Sequence, residues 1–153
     1  MIEYRFIDPP GIHFVEGRGS FNLLELFKIG VDVLQRDGPA GDLSRPTLWD
    51  VREVNLLDFK THELKSLIRK RIALGEQYRN SLMAVVVGDE GSYGMMRMYN
   101  SLAEINGLRP VEATYLGFDF DEAIQWITMA MKLDQRNAAD FQSTILASEL
   151  ASN

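Results

Sequence analysis

Apolar and polar residues alternate along IEYRFI (2–7) and again along IHFVEGRG (12–19), with Asp8-Pro9-Pro10-Gly11 between them. A period of two marks a strand with one buried face, and a Pro-Gly cluster ends it. These two segments predict antiparallel strands joined by a turn. From Asn22 the period changes. Leu23, Phe27, Gly30, Val31 and Leu34 recur at helical spacing, behind Asn22 and Glu25 at the spacing of a capping box. The polar loop DGPAGDLSRP (37–46) is expected to end that helix.

TLWDV (47–51) predicts the next strand, and from Asp58 a helix follows with Leu64, Leu67, Ile68, Ile72 and Gly75 on one stripe. LMAVVV (82–87) is apolar without alternation, the mark of a central strand covered on both faces. Residues 92–106 predict a helix stopped by Asn106-Gly107. In it Met95, Met98, Leu102 and Ile105 form the expected core stripe, and Met96 and Tyr99 fall off that line, towards a cleft or an interface. EATYLGF (112–118) predicts the last strand, and Asp119 and Glu122 a second capping box before a helix lined by Ile124, Ile127 and Met131.

After the two-strand start, the strand-then-helix unit occurs four times. Short connections of this kind force parallel strands with right-handed crossovers. The expected fold is α/β: a mixed, largely parallel five-stranded sheet with four βα units. Residues 137–150 predict an additional helix with a thin stripe, Phe141, Ile145 and Leu146. The expected division is therefore an α/β domain over 1–136 and a helical extension over 137–153. That extension docks on its own domain or on a neighbouring subunit.

Composition narrows the chemistry. A chain of 153 residues can bury a real core. No apolar run reaches the roughly 20 residues that span a bilayer, so stable membrane insertion is not expected. The start MIEYRFIDPP reads as a strand rather than a signal peptide. The absence of cysteine excludes disulfides, thiolate metal sites and cysteine nucleophiles, and it suits a cytoplasmic setting. His13 and His62 are too isolated for a multi-histidine metal site, and His13 is expected on a strand surface. No cofactor motif is present. A net charge of −6 disfavours nucleic acid, whose phosphates need clustered positive charge. Charge is uneven, however: residues 58–79 hold six of the sixteen Lys and Arg residues and three acids. This helix could meet an acidic partner or a membrane surface, or form a solvated outer face. Lys65, Arg69 and Lys70 on it, with Tyr99 beyond it, are the candidate surface for a protein partner.

Ligands of such sheets sit beyond the carboxyl ends of the strands. Gly88, Asp89, Tyr93 and Gly94 are expected there, with Asp50 and Arg52 on the preceding strand and Met96 reaching in; these seven are the ligand-binding candidates. The turn VVVGDEGSYGMMRMY (85–99) is no phosphate loop, because its glycines are not spaced G-x-x-x-x-G-K-[ST] and no lysine follows. Asp50 and Asp89 could act as an acid/base couple or hold Mg²⁺, or each could fix its own loop.

LWDVREVNLLDF (48–59), AVVVGDEGSYGMMRMY (84–99) and FDFDEAIQWI (118–127), in this order of elements, resemble the SpoIIAA-like superfamily, which includes STAS domains of anti-sigma-factor antagonists and sulphate transporters. They resemble in particular a bacterial branch of small stand-alone proteins grouped with CRAL-TRIO-type lipid-binding proteins. The resemblance covers residues 2–132 and implies a βα superhelix. In the antagonists an Asp-Ser pair follows the third strand, and the serine is phosphorylated. Here Asp58 matches the aspartate and Phe59 stands at the serine, so the usual phospho-switch is absent.

The expected function is a non-enzymatic regulatory or binding module for a protein partner or a small apolar, lipid-like ligand. One alternative is a hydrolase or Mg²⁺-dependent enzyme using Asp50 and Asp89. Another is a self-associating protein, a homodimer, with 137–150, Tyr99 and Trp126 at its interface.

Overall fold

The computed structural model describes residues 1–22, 25, 28, 44–57, 61–73, 81–132 and 135–152. Five strands form one sheet in the order β1 (Ile2–Ile7), β2 (Ile12–Asn22), β3 (Thr47–Leu57), β4 (Met83–Val87) and β5 (Thr114–Gly117). β1 pairs antiparallel with β2, and every later pair is parallel. The helices bounded within the described residues are α1 (Thr61–Ile72), α2 (Glu90–Ile105), α3 (Phe120–Ala130) and α4 (Gln135–Ser152), and they flank the sheet. The expected α/β fold is the observed one. The predicted helix residues Leu23, Phe27, Gly30, Val31 and Leu34 lie outside the described residues, as do most of the loop 37–46, Asp58 and Phe59, and Gly75.

The β1–β2 turn is held from a distance. Arg45 donates from Nε to the Gly11 carbonyl at 2.9 Å and from Nη2 to the Pro10 carbonyl at 2.7 Å.

Each face of the sheet carries its own core. On one, Val15, Trp49, Val51, Met83, Val85 and Val87 pack against Leu64, Leu67 and Ile68 of α1 and Met96, Tyr99 and Ala103 of α2. On the other, Ile12, Phe14, Leu48, Ala84 and Val86 pack against Phe120, Ala123, Ile124 and Ile127 of α3 and Phe141 and Ile145 of α4. All five residues of β4 are buried, as its unbroken apolar run requires. Two crossovers of one hand place α1 and α2 on the same side. Among the described residues no strand follows β5, and the helix after it, α3, packs on the opposite face.

Three expectations change. β2 and β3 run on to Asn22 and Leu57, because they continue to pair with each other past the end of β4, after a register shift between Glu16 and Arg18. Asp50 and Arg52 therefore sit within β3 rather than at its tip. His13 is not on a strand surface: it is 1% exposed, with Nδ1 2.8 Å from the Tyr4 hydroxyl and Phe6 beside its ring. The core stripe of α2 is rotated. Met96 and Tyr99 have no exposed surface, whereas Met98 is 40% and Ile105 78% exposed. Met96 is thus a core residue and not a ligand contact, and Tyr99 offers no partner surface. Two apolar stripes lie about 100° apart on this helix, and the sheet chooses between them. Tyr99 can go inside because Arg71 of α1, also buried, donates to its hydroxyl.

α4 docks through a narrow stripe. Phe141 and Ile145 are fully buried in the second core, and Leu146 is 39% exposed. Each buried side chain contributes roughly 1.5–3 kcal/mol. The expected extension therefore packs on its own domain.

Candidate functional site at the carboxyl edge of the sheet

Val51 pairs with Val87, so Arg52 and Gly88 are neighbours where β4 ends. A side chain at Gly88 would collide with the Arg52 carbonyl. The two segments expected to flank one cleft are therefore side by side on one sheet.

Alternation sends Leu48, Asp50 and Arg52 to the face of α3 and α4. There Arg52 lies over Phe120, its guanidinium carbon 4.7 Å from the ring centroid. Arg52 also donates to Asp50 twice, Nε to Oδ1 at 2.9 Å and Nη2 to Oδ2 at 2.8 Å. Such a two-point pair fixes the plane of the guanidinium. Across the strand pair Asp50 stands opposite Glu16, which accepts from Arg5 at 3.0 Å. Burial pushes the Glu16 carboxyl pKa up; Arg5 opposes this, and Asp50 and Glu3 add to it.

Arg52, Phe118, Asp119, Phe120, Asp121 and Leu146 line an open cleft of about 540 Å³ between the sheet, the start of α3 and α4. Phe118 is 49% exposed and stacks on Tyr93, with centroids 5.2 Å apart and planes 19° from parallel. Asp119 caps α3, accepting from the Glu122 N–H at 3.1 Å. Nearby, the Tyr115 hydroxyl lies 3.3 Å from Glu122, and burial together with that carboxylate pushes its pKa up to about 12. It stays a phenol at neutral pH. A second cleft of about 470 Å³, with Arg5, Asp140 and Thr144 in its walls, lies on the other flank of α4.

Of the seven ligand candidates, Arg52 lines the cleft, Asp50 braces it from behind and Tyr93 supports Phe118. Gly88 brings β3 and β4 together. Asp89 is instead the N-cap of α2, accepting from the Ser92 N–H at 2.7 Å. Gly94 is on the exposed surface of α2, and Met96 is core. Asp50 and Asp89 therefore have separate partners, an arginine and a helix end. Among the described residues no group of three or more His, Asp or Glu could hold a metal ion, and no helix is long and apolar enough to cross a membrane. Of the partner candidates on α1, Lys65, Arg69 and Lys70 are exposed.

Reading for function missed Phe118, Phe120, Asp121 and Leu146 as cleft residues. A signal was available: Phe-Asp-Phe-Asp directly follows the last strand, where the carboxyl edge must lie. Leu146 carried none, since its place depends on how α4 docks. No protein-family model matches the sequence, and neither does any curated protein.

Proposed function

We propose that this chain is a non-enzymatic binding module of the STAS-like type, lacking the phospho-switch serine, and that the cleft beside Arg52 holds a small ligand with an apolar body. What carries this reading is Phe118: a half-exposed aromatic ring, stacked on Tyr93, in a cleft whose apolar lining also includes Phe120 and Leu146. A ring held in place loses little entropy when a ligand covers it. Arg52, Asp119 and Asp121 give the ligand's polar end something to face. The separate engagements of Asp50 and Asp89 favour binding over acid/base chemistry at these positions.

The neutral fluorescent probe N-phenyl-1-naphthylamine tests this. Saturable binding is expected, weakened roughly tenfold or more by Phe118→Asp and by Leu146→Asp. Both positions are partly exposed, so folding, followed by circular dichroism, is expected to persist. No binding, or binding that ignores both changes, sinks the reading.

A second reading has its own support. Lys65, Arg69 and Lys70 are all exposed on α1 of a chain with net charge −6, which suits docking of an acidic protein partner. Salt-sensitive binding of poly-L-glutamate, lost when the three residues become glutamate, is its expected sign.

A further inference from the structure

β1 is an outer strand of the sheet, and among the described residues only β2 pairs with it. Its six residues keep one register from Ile2 opposite Gly17 to Ile7 opposite Ile12, without the shift that interrupts β2 and β3. Arg18 donates to the Met1 carbonyl at 2.9 Å, so Met1 and Arg18 are a hydrogen-bonded pair of this ladder. Such pairs alternate in an antiparallel ladder, and Glu3 and Arg5 therefore turn their backbone groups towards β2. Ile2, Tyr4 and Phe6 turn theirs to the outer edge. An unbulged edge of this length is a template for one more strand.

The side chains add a pattern of charge. On the face of α3 and α4, Asp50, Glu16 and Glu3 stand opposite one another across β3, β2 and β1. Asp50 is paired with Arg52, and Glu16 with Arg5. Among the described residues no ion pair engages Glu3. Like charges directly opposite each other are destabilising, and Glu3 adds to what pushes the Glu16 pKa up. A cation beyond Glu3, on the next strand outward, would complete the row.

We infer that two copies of this chain join β1 to β1, antiparallel about a twofold axis at Tyr4, with Glu3 of each opposite Arg5 of the other. The partner is a second copy because the strand is complementary to itself. Facing residues must share a face of the sheet, which puts the axis at a residue of β1. An axis at Glu3 sets Glu3 against Glu3, and an axis at Arg5 sets Arg5 against Arg5. At Tyr4 both charged pairs are opposite in sign, and Ile2 meets Phe6 twice on the other face. Axes farther out leave no more than half of β1 paired. Glu3 and Arg5 fall at the positions between hydrogen bonds, where facing side chains come closest. Each Arg5 keeps Glu16 of its own chain and gains Glu3 of the other. The inference is independent of what the cleft beside Arg52 binds.

Light scattering on the full chain, over a range of concentrations, measures the dimer dissociation constant. Glu3→Arg is expected to raise it roughly tenfold, because both symmetric pairs turn from attractive to repulsive. Glu3 is exposed, so this change leaves both cores intact. It also reduces the net charge of −6, which by itself favours association through any surface. Adding Arg5→Glu restores opposite signs in both pairs and the parent net charge, and leaves Glu16 facing the new arginine at position 3. The constant is then expected to return to within about threefold of the parent value. A dimer joined elsewhere would ignore or tighten with Glu3→Arg and would not recover with the second change. Either result, or a parent chain that stays monomeric at the highest concentration reached, overturns the proposal.

Discussion

Glu16 and Asp50 face each other across β2 and β3, and each is held by its own arginine, Arg5 at 3.0 Å and Arg52 at 2.8 Å. Two acids and two bases thus form a line across three strands, behind the cleft. Arg52 is therefore not a spare charge at the wall of that cleft. Arg52 presents a paired guanidinium edge to the cleft, its plane set by Asp50 and its face covered by Phe120.

This line makes stability depend on pH in a stated direction. The Glu16 pKa is raised, chiefly by burial. The folded protein therefore binds that proton more readily than the unfolded chain does. Its contribution rises as pH falls from above the folded pKa towards the ordinary glutamate value, and is complete below that value. Glu16→Gln keeps the shape without the charge, so it is expected to remove this part of the pH dependence. Urea midpoints measured from neutral pH down to below the ordinary glutamate value check it. Parallel curves for the two chains would count against the assignment.

Gly88 and Gly94 are expected to respond oppositely to alanine. At Gly88 a methyl group meets the backbone carbonyl of Arg52, which cannot yield without parting β3 from β4. Overpacking of this kind costs about 1–3 kcal/mol. At Gly94 nothing lies within 4 Å of the added carbon, and the site is inside α2. Alanine there gains about 0.5–1 kcal/mol from helix propensity. Chemical denaturation of both variants gives the two signs.

Met96 and Met98 test the rotation of α2. Met96→Ala empties a fully buried site and is expected to cost about 2–5 kcal/mol. Met98→Ala, at a position 40% exposed, is expected to stay within about 0.5 kcal/mol of the parent. Similar losses at both positions would contradict the orientation described.

Asp89 is expected to act as a cap. Asp89→Ala leaves the Ser92 N–H without its carboxylate and costs about 1 kcal/mol, while Asp89→Ser retains most of the stability. Thermal unfolding of the two variants separates capping from a role in the cleft. A role in the cleft would show instead as loss of probe binding at unchanged stability.

Much of the fold is legible in residue order. The alternation in 2–7 and 12–19, the apolar run of β4 and the stripes of α1 and α3 each answer to one period, because a strand or helix must bury one side. The cap at Asp119 is local too, since an aspartate needs only the N–H groups of the next turn. These features depend on neighbours a few residues away, and the sequence states them directly.

What the tertiary structure decided are choices between locally equal options. Either stripe of α2 could have been buried, and the match of Tyr99 with Arg71 across two helices settled it. His13 could have faced water until β1 brought Tyr4 and Phe6 against it. β3 could have ended at Val51 had β2 not continued beside it. The cleft belongs to the same class, because Arg52, Phe118 and Leu146 lie far apart in the chain and meet only where three elements pack. Periodicity records which side of an element is apolar; which partner covers that side is set by contacts the chain makes only once folded.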